Sequence, residues 1–276
     1  MSVVEPVEIS NEEYHSLPGV SNSKVNVFIE DVREYHYQFL SGRYVEESKD
    51  HFDFGTAVHD ISLLGSSNIA VIPSDVLARN GARSGNAWKE YRDANSDKLL
   101  LKIEDYRAVM RCVEEIKRHP IAGALLAAPG HAERMYQAEI DGLLCRCKPD
   151  KICFWNGKTI VVDLKTTPDS KPNKFVKSIE RFNYHRQEYF YRRVLDANDV
   201  HVDAFVFIAV ADSEPHCVDC YELDAEWLKI ASDEVQPALA DLRRRTEQDD
   251  WKSSTENSVI RVSPPNYMKF RGQFAL

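Results

Sequence analysis

The sequence predicts an α/β fold with a central mixed sheet flanked by helices. Helix-type apolar spacing dominates the first half of the chain. The middle changes to strand-type runs joined by Asp141-Gly142 and Asn156-Gly157, both hairpin signals. A helix, two strands and a last helix follow.

The elements are expected in this order. Ser21 or Ser23 caps a helix running to about Leu40, with Val25, Phe28 and Val32 on one stripe. Asp53 to Leu64 carries an apolar helical face. Ser84 to Asn95 and Glu104 to Arg118 read as two more helices, the second stopping before His119-Pro120. Arg134 to Ile140, Leu143 to Phe154 and Thr159 to Lys165 read as strands. Lys174 to Ala197 is helical with a break near Asn183. Val202 to Val210 is a strongly apolar strand and His216 to Glu222 a shorter one. Ala225 to Arg245 is a helix, and the chain past Asp249 is irregular. A single domain spanning 1–276 is expected: a helical N-terminal part (about 1–130) wraps a core (about 131–222), followed by a helix and tail (about 223–276).

Composition narrows the function. Apolar residues make up 43% of the 276, enough for a full core. No 20-residue apolar span is present, so no membrane helix is expected. The acidic start MSVVEPVEISNEEYHSL lacks a signal-peptide core, which points to the cytoplasm. The six cysteines then read as reduced thiols. Cys217-Val-Asp-Cys220 has two-ligand spacing, but no second pair stands at zinc-ribbon distance. Net charge is −9, which argues against a broad nucleic-acid-binding coat and leaves room for a local basic groove. Acids cluster from Glu222 to Glu256, whereas bases cluster at Arg79, Arg83, Lys89 and Arg92 and from Lys171 to Arg193.

The chemistry concentrates at Asp163-Leu164-Lys165. Alternate residues of a strand face one side, so Asp163 and Lys165 project together and Leu164 points into the opposite layer. Pairing across Asn156-Gly157 brings Asp150 opposite Asp163. Two carboxylates and a lysine at one sheet end suit a hard divalent cation and phosphodiester hydrolysis. On arbitrary strands such a charged pair is an ordinary surface contact; here Ile160-Val161-Val162 reads as buried strand leading into it. Glu139, one strand earlier, is a further acid within reach, although a solvated role is the commoner one. The Gly-rich basic loop around Arg79, Arg83 and Lys89, and the helical stripe of Lys174, Lys177 and Arg181, are candidate contacts to DNA phosphates or plain solvated faces.

Pro149-Asp150 followed by Asp163-Leu164-Lys165 resembles the PD-(D/E)xK nuclease signature. Gly55-Thr56-Ala57-Val58-His59 resembles the Gly-x-x-x-His element of its RecB-like branch, and Gln187 with Tyr191 resembles Gln-x-x-x-Tyr. Tyr14 to Ser21, Phe54 to Leu64, Leu144 to Asp150, Val162 to Thr167 and Tyr184 to Gln187 are similar to RecE-type exonucleases, the exodeoxyribonuclease VIII family.

That resemblance implies a PD-(D/E)xK restriction-endonuclease-like core and a magnesium-dependent exonuclease on linear double-stranded DNA. It would run 5′ to 3′, leaving 3′ single-stranded tails for recombination. Asp150, Asp163 and the Leu164 carbonyl would hold metal, His59 would bind a second ion or stand beside it, and Mn²⁺ would substitute for Mg²⁺. Lys165 would position the attacking water, Gln187 would orient the strand or the lysine, and Tyr191 would support it. Two ions about 4 Å apart would clamp the attacking and leaving oxygens. A homo-oligomeric ring of three or four subunits and a single-strand annealing partner are also implied. The alternatives are a Cas4-like or AddB-like nuclease with an iron–sulfur cluster, for which only Cys217 and Cys220 lie downstream, and an inactive DNA-end-binding module.

Overall fold

The computed structural model describes residues 6–45, 54–65, 68–265 and 268. The strands are β1 (Val7–Glu8), β2 (Ile69–Val71), β3 (Leu99–Leu101), β4 (Gly130–Ala132), β5 (Arg134–Ile140), β6 (Leu143–Cys147), β7 (Lys151–Trp155), β8 (Lys158–Thr167), β9 (Ala204–Ala211) and β10 (Val218–Tyr221). The helices are α1 (Asn11–Ser16), α2 (Asn22–Glu30), α3 (Val32–Phe39), α4 (Phe54–Leu64), α5 (Asn86–Ala94), α6 (Ile103–Arg118), α7 (Pro120–Ala127), α8 (Pro172–Phe182), α9 (Tyr184–Asp196) and α10 (Ala225–Gln248).

A five-stranded mixed sheet in the order β10-β9-β8-β7-β4 forms the centre. Its β8 and β9 run parallel and the other pairs antiparallel. A parallel neighbour needs a long crossover, and α8 and α9 supply it between β8 and β9. Both expected hairpins form. Asp141 and Gly142 take φ of 53° and 80°, and Asn156 and Gly157 take 51° and 77°. Positive φ at both central residues matches the right-handed twist of the strands they join.

Strand alternation sorts the core into two layers. Val161, Phe205, Phe207 and Ala209 face one cluster with residues of α2, α8, α9 and α10. Ile160, Val162, Leu164, Val206 and Ile208 face the other with α4, α6 and α7. All of β9 is buried, as expected of a central strand covered on both faces.

Several expectations are corrected. The helix expected from Ser21 to Leu40 is two helices, because Asp31 is extended and its Oδ1 accepts the Arg33 N–H at 2.8 Å, starting α3 afresh. The strand expected over Leu143 to Phe154 is also two: β6 pairs with β5 and β7 with β8, in different sheets. The break falls at Lys148-Pro149-Asp150, where proline has no N–H for a ladder. His119-Pro120 ends α6 and also begins α7, with His119 Nδ1 accepting the Ala122 N–H at 3.1 Å and proline in the first turn. The N-terminal part contains β1, β2 and β3 besides its helices. Asp53, the expected start of α4, lies outside the described residues. Among the described residues no helix is long and apolar enough to cross a membrane.

Candidate active site

The site gathers at the C-terminal half of β8. Asp163 is fully buried, and Lys165 Nζ lies 2.5 Å from its Oδ1. Gln187, from α9 above, donates to its Oδ2 at 2.5 Å. Lys151 pairs with Val162, so Asp150 comes opposite Asp163. The Asp150 Oδ2 accepts the Leu164 N–H at 2.7 Å, while the Leu164 side chain packs in the opposite core layer. From α4, His59 Nε2 stands 3.1 Å from Asp150 Oδ1 and 3.3 Å from Glu133 Oε1.

Glu133 is the residue that the sequence reading missed. It occupies the bend between β4 and β5 with φ of 55°, a costly conformation for a residue with a side chain. Its N–H donates to the Asp150 carbonyl at 3.1 Å. Its carboxylate pairs with the nearly buried Lys148, whose Nζ also donates to Asn11 Oδ1 at 2.7 Å. Glu139, for which a solvated role is the commoner expectation, is exposed on β5 opposite Leu144 and lines no part of the site. On a strand one face looks inward, and Ile140 rather than Glu139 occupies it.

His59, Glu133, Lys148, Asp150, Leu164, Lys165 and Gln187 line one cavity of about 560 Å³, whereas Asp163 is buried and reaches it through Lys165 and Gln187. Tyr14, Ser21, Asn22, Ser23 and Thr56 also line the cavity. Tyr191 lies one turn beyond Gln187 and borders the same cavity, its ring 6.4 Å from that of Phe205. Tyr184 also borders it, and Lys165 Nζ lies 4.7 Å from its ring centroid.

The charges compensate within the cluster. Burial disfavours the His59 charge, but Asp150, Asp60 and Glu133 outweigh it and push the imidazole up to about 11. Burial also works against the Asp150 charge, yet His59, Lys165 and the Leu164 N–H hold that carboxyl below its usual range. Asp163 goes the other way: burial, with Asp150 beside it, raises it against the pull of Lys165. Lys165 is raised because Asp163 and Asp150 overcome its burial, so its amine stays an ammonium. Burial chiefly raises Glu133.

The donor set fits a divalent cation. Among the described residues, ligand atoms of His59, Glu133 and Asp150 lie within 4.8 Å of one another. One imidazole nitrogen and two carboxylates suit an ion of the Mg²⁺ or Mn²⁺ class, the imidazole favouring the softer of the two. Asp163 stands next to this group, its oxygens engaged by Lys165 and Gln187, and each carboxylate oxygen retains a second lone pair. No cysteine belongs to the group: Cys112, Cys145, Cys147 and Cys153 are buried, Cys217 is exposed and Cys220 half-buried.

The basic candidates lie elsewhere. Arg79, Lys89, Lys174 and Lys177 are exposed and outside the cavity lining. Arg83 turns inward, donating to the Leu100 carbonyl at 3.1 Å with its guanidinium 5.8 Å from the Trp88 ring centroid.

No curated protein matches this sequence. A crystal structure from Eubacterium rectale, provisionally assigned as an exonuclease, shares the fold with a TM-score of 0.60 at 14% identity, covering 96% of this chain and 98% of that one. A protein designated SSO0001 aligns at a TM-score of 0.29 with 17% identity over 77% of this chain and 85% of that one. LHK-Exo in complex with dAMP aligns at 0.29 with 14% identity over 70% of this chain and 89% of that one. A family model described as a PDDEXK-like domain of unknown function (DUF3799) matches residues 21–260. The mixed sheet and the acids at its end thus accord with the sequence match, and the chain belongs to this PDDEXK-like family.

Proposed function

We propose that this protein is a metal-dependent exonuclease that hydrolyses linear double-stranded DNA. One observation carries the reading: Asp150, Lys165, His59 and Glu133 line a single cavity at the end of a buried strand, and the buried Asp163 is held there by Lys165 and Gln187.

His59, Glu133 and Asp150 would hold the cation, with Asp163 adjoining, and a bound divalent ion would supply Lewis-acid polarisation of the phosphate. Lys165 keeps its proton, so its part is electrostatic: it orients the attacking water and offsets charge growing on the phosphate oxygens. The water oxygen bonds to phosphorus, the phosphorus–oxygen bond to the leaving nucleotide breaks, and the proton that the water gives up to solvent is balanced by one that solvent returns to the leaving oxygen. Gln187 fixes the Asp163 carboxylate so that the lysine keeps its place, and Tyr191, one turn on in the same helix, supports it from the cavity edge.

The RecE-type resemblance extends the proposal. Mg²⁺ is the expected ion with Mn²⁺ as substitute, two ions per site, and the direction is 5′ to 3′. The 3′ tails would serve recombination through a single-strand annealing protein. A ring of three or four subunits would present the exposed bases Arg79, Lys89, Lys174 and Lys177 to the duplex.

The test is digestion of a linear duplex labelled at either end, by wild type and Lys165→Ala, with Mg²⁺ and with chelator. Mononucleotides released from 5′ ends alone, lost in the variant and with chelator, are expected. A wild type that cuts nothing with any divalent ion would overturn the reading. Light scattering after gel filtration tests the ring separately.

A further inference from the structure

We propose that the corner between α8 and α9 is a stacking platform for an unpaired nucleobase beside the scissile phosphate. The inference rests on the nuclease reading above and adds the form of substrate: a melted or single-stranded end.

Three near-parallel rings climb from the core to the surface. Phe207 is fully buried on β9. The Tyr184 ring lies 5.7 Å from it at an interplanar angle of 21°. The Phe182 ring lies 5.7 Å from Tyr184 at 23°. Phe182 is 50% exposed, so the ladder ends in solvent. Isolated exposed apolar residues are common on proteins. This one continues a stack whose middle ring touches the lysine of the site, with Lys165 Nζ 4.7 Å from the Tyr184 centroid.

The corner is rigid where it matters. Asn183 separates the two rings in sequence and holds a left-handed conformation, φ 58° and ψ 40°, as the end of α8 and the start of α9. Asparagine accepts that conformation more readily than most residues. Phe182 and Tyr184 are therefore presented by helix ends rather than by a loose loop.

Charge accompanies the ring. Lys174, Lys177 and Arg181 are exposed and share one stripe of α8, whose last member adjoins Phe182. The Arg181 guanidinium lies 5.2 Å from the Phe182 ring centroid, and a side chain so exposed can leave the ring for a phosphate. A cationic track beside an aromatic face is how single strands are held without reading their sequence. A strand advances about 3.4 Å per nucleotide along a duplex, which puts Phe182 within about three nucleotides of a phosphate at Lys165. Bases inside a duplex already stack on both sides, so a protein ring takes up a base freed from its neighbours.

The test uses single-stranded oligonucleotides carrying 2-aminopurine at each of the three terminal positions in turn, mixed with the full chain in chelator so that nothing is cut. Wild type and Phe182→Trp are expected to quench the fluorescence at one position. Phe182→Ala and Phe182→Leu are expected to lose the quench and bind about tenfold more weakly. An abasic residue at the same position should bring wild type down to the level of Phe182→Ala. Thermal melting unchanged in all three variants separates stacking from misfolding. No quench by wild type, or full retention in Phe182→Leu, would overturn the platform. Because the assay reads binding, it separates the two claims. A protein that stacks but never cuts sinks the nuclease reading, and one that cuts but never stacks sinks the platform alone.

Discussion

Lys165 and Gln187 take opposite oxygens of the Asp163 carboxylate, each at 2.5 Å, inside a fully buried setting. The consequence for Lys165→Met is twofold. Hydrolysis of an end-labelled duplex should fall by at least about a hundredfold, since a preorganised charge is lost. Removing one partner of a buried pair should also cost about 3–5 kcal/mol. Burial already raises Asp163, and without the lysine it takes up a proton more readily still. The melting temperature should therefore drop more at pH 8 than at pH 5.5, as read by circular dichroism.

Glu133 and Glu139 make a matched pair for metal binding. Glu133→Gln should weaken Mn²⁺ affinity by more than about tenfold, because its oxygen sits with His59 and Asp150. Glu139→Gln should leave the titration unchanged, since Glu139 is exposed away from the cluster. Equal losses from both would remove Glu133 from the site.

These two glutamates also mark what the sequence discloses. Asp163 and Lys165 were legible because strand alternation is local. Asp150 was legible because the Asn156-Gly157 turn sets the register of β7 on β8. Glu133 was not, because its approach depends on a left-handed bend and on Lys148, neither of which has a periodic signal. The strands β1, β2 and β3 are too short to show a period. Helix α7 was hidden because Pro120 reads as a stop when it is the first turn of a new helix.

Metal entry should release a proton. With the metal absent, His59 is charged at neutral pH, being held up to about 11. The sign follows: this raised group stabilises the metal-free fold below its unfolded value near 6.5, and the contribution is lost as pH climbs through about 11. A ligand imidazole must be neutral. Calorimetric Mn²⁺ titrations in buffers of differing ionisation enthalpy at pH 7 should show about one proton released by wild type and none by His59→Asn.

Glu188 supplies a pH dependence of the same sense in a more acidic window. Burial raises it to about 7 even though Arg192 lies 2.9 Å away and pulls the other way. A carboxyl raised above its usual 4.5 binds its proton more tightly when folded. Stability should thus fall as pH rises from about 4.5 to about 7, by roughly 3 kcal/mol for a shift of this size. Glu188→Gln should flatten urea-denaturation stability across that window, and a variant that still declines as wild type does would assign the slope elsewhere.

The crossing at Pro149 makes the length of the chain around it matter in a way that length at a hairpin tip does not. A residue added at Asp141-Gly142 lengthens the tip of the β5–β6 hairpin, away from the cavity. A residue added between Asp150 and Lys151 would reverse which way Asp150 faces, and one added between Cys147 and Asp150 would shift Lys148 against Glu133. The hairpin tip is instead pinned by Arg193 and Arg243 to Asp141, away from the cavity, while the short passage from one sheet to the other acts as a fixed spacer whose residue count is itself part of the geometry of the site.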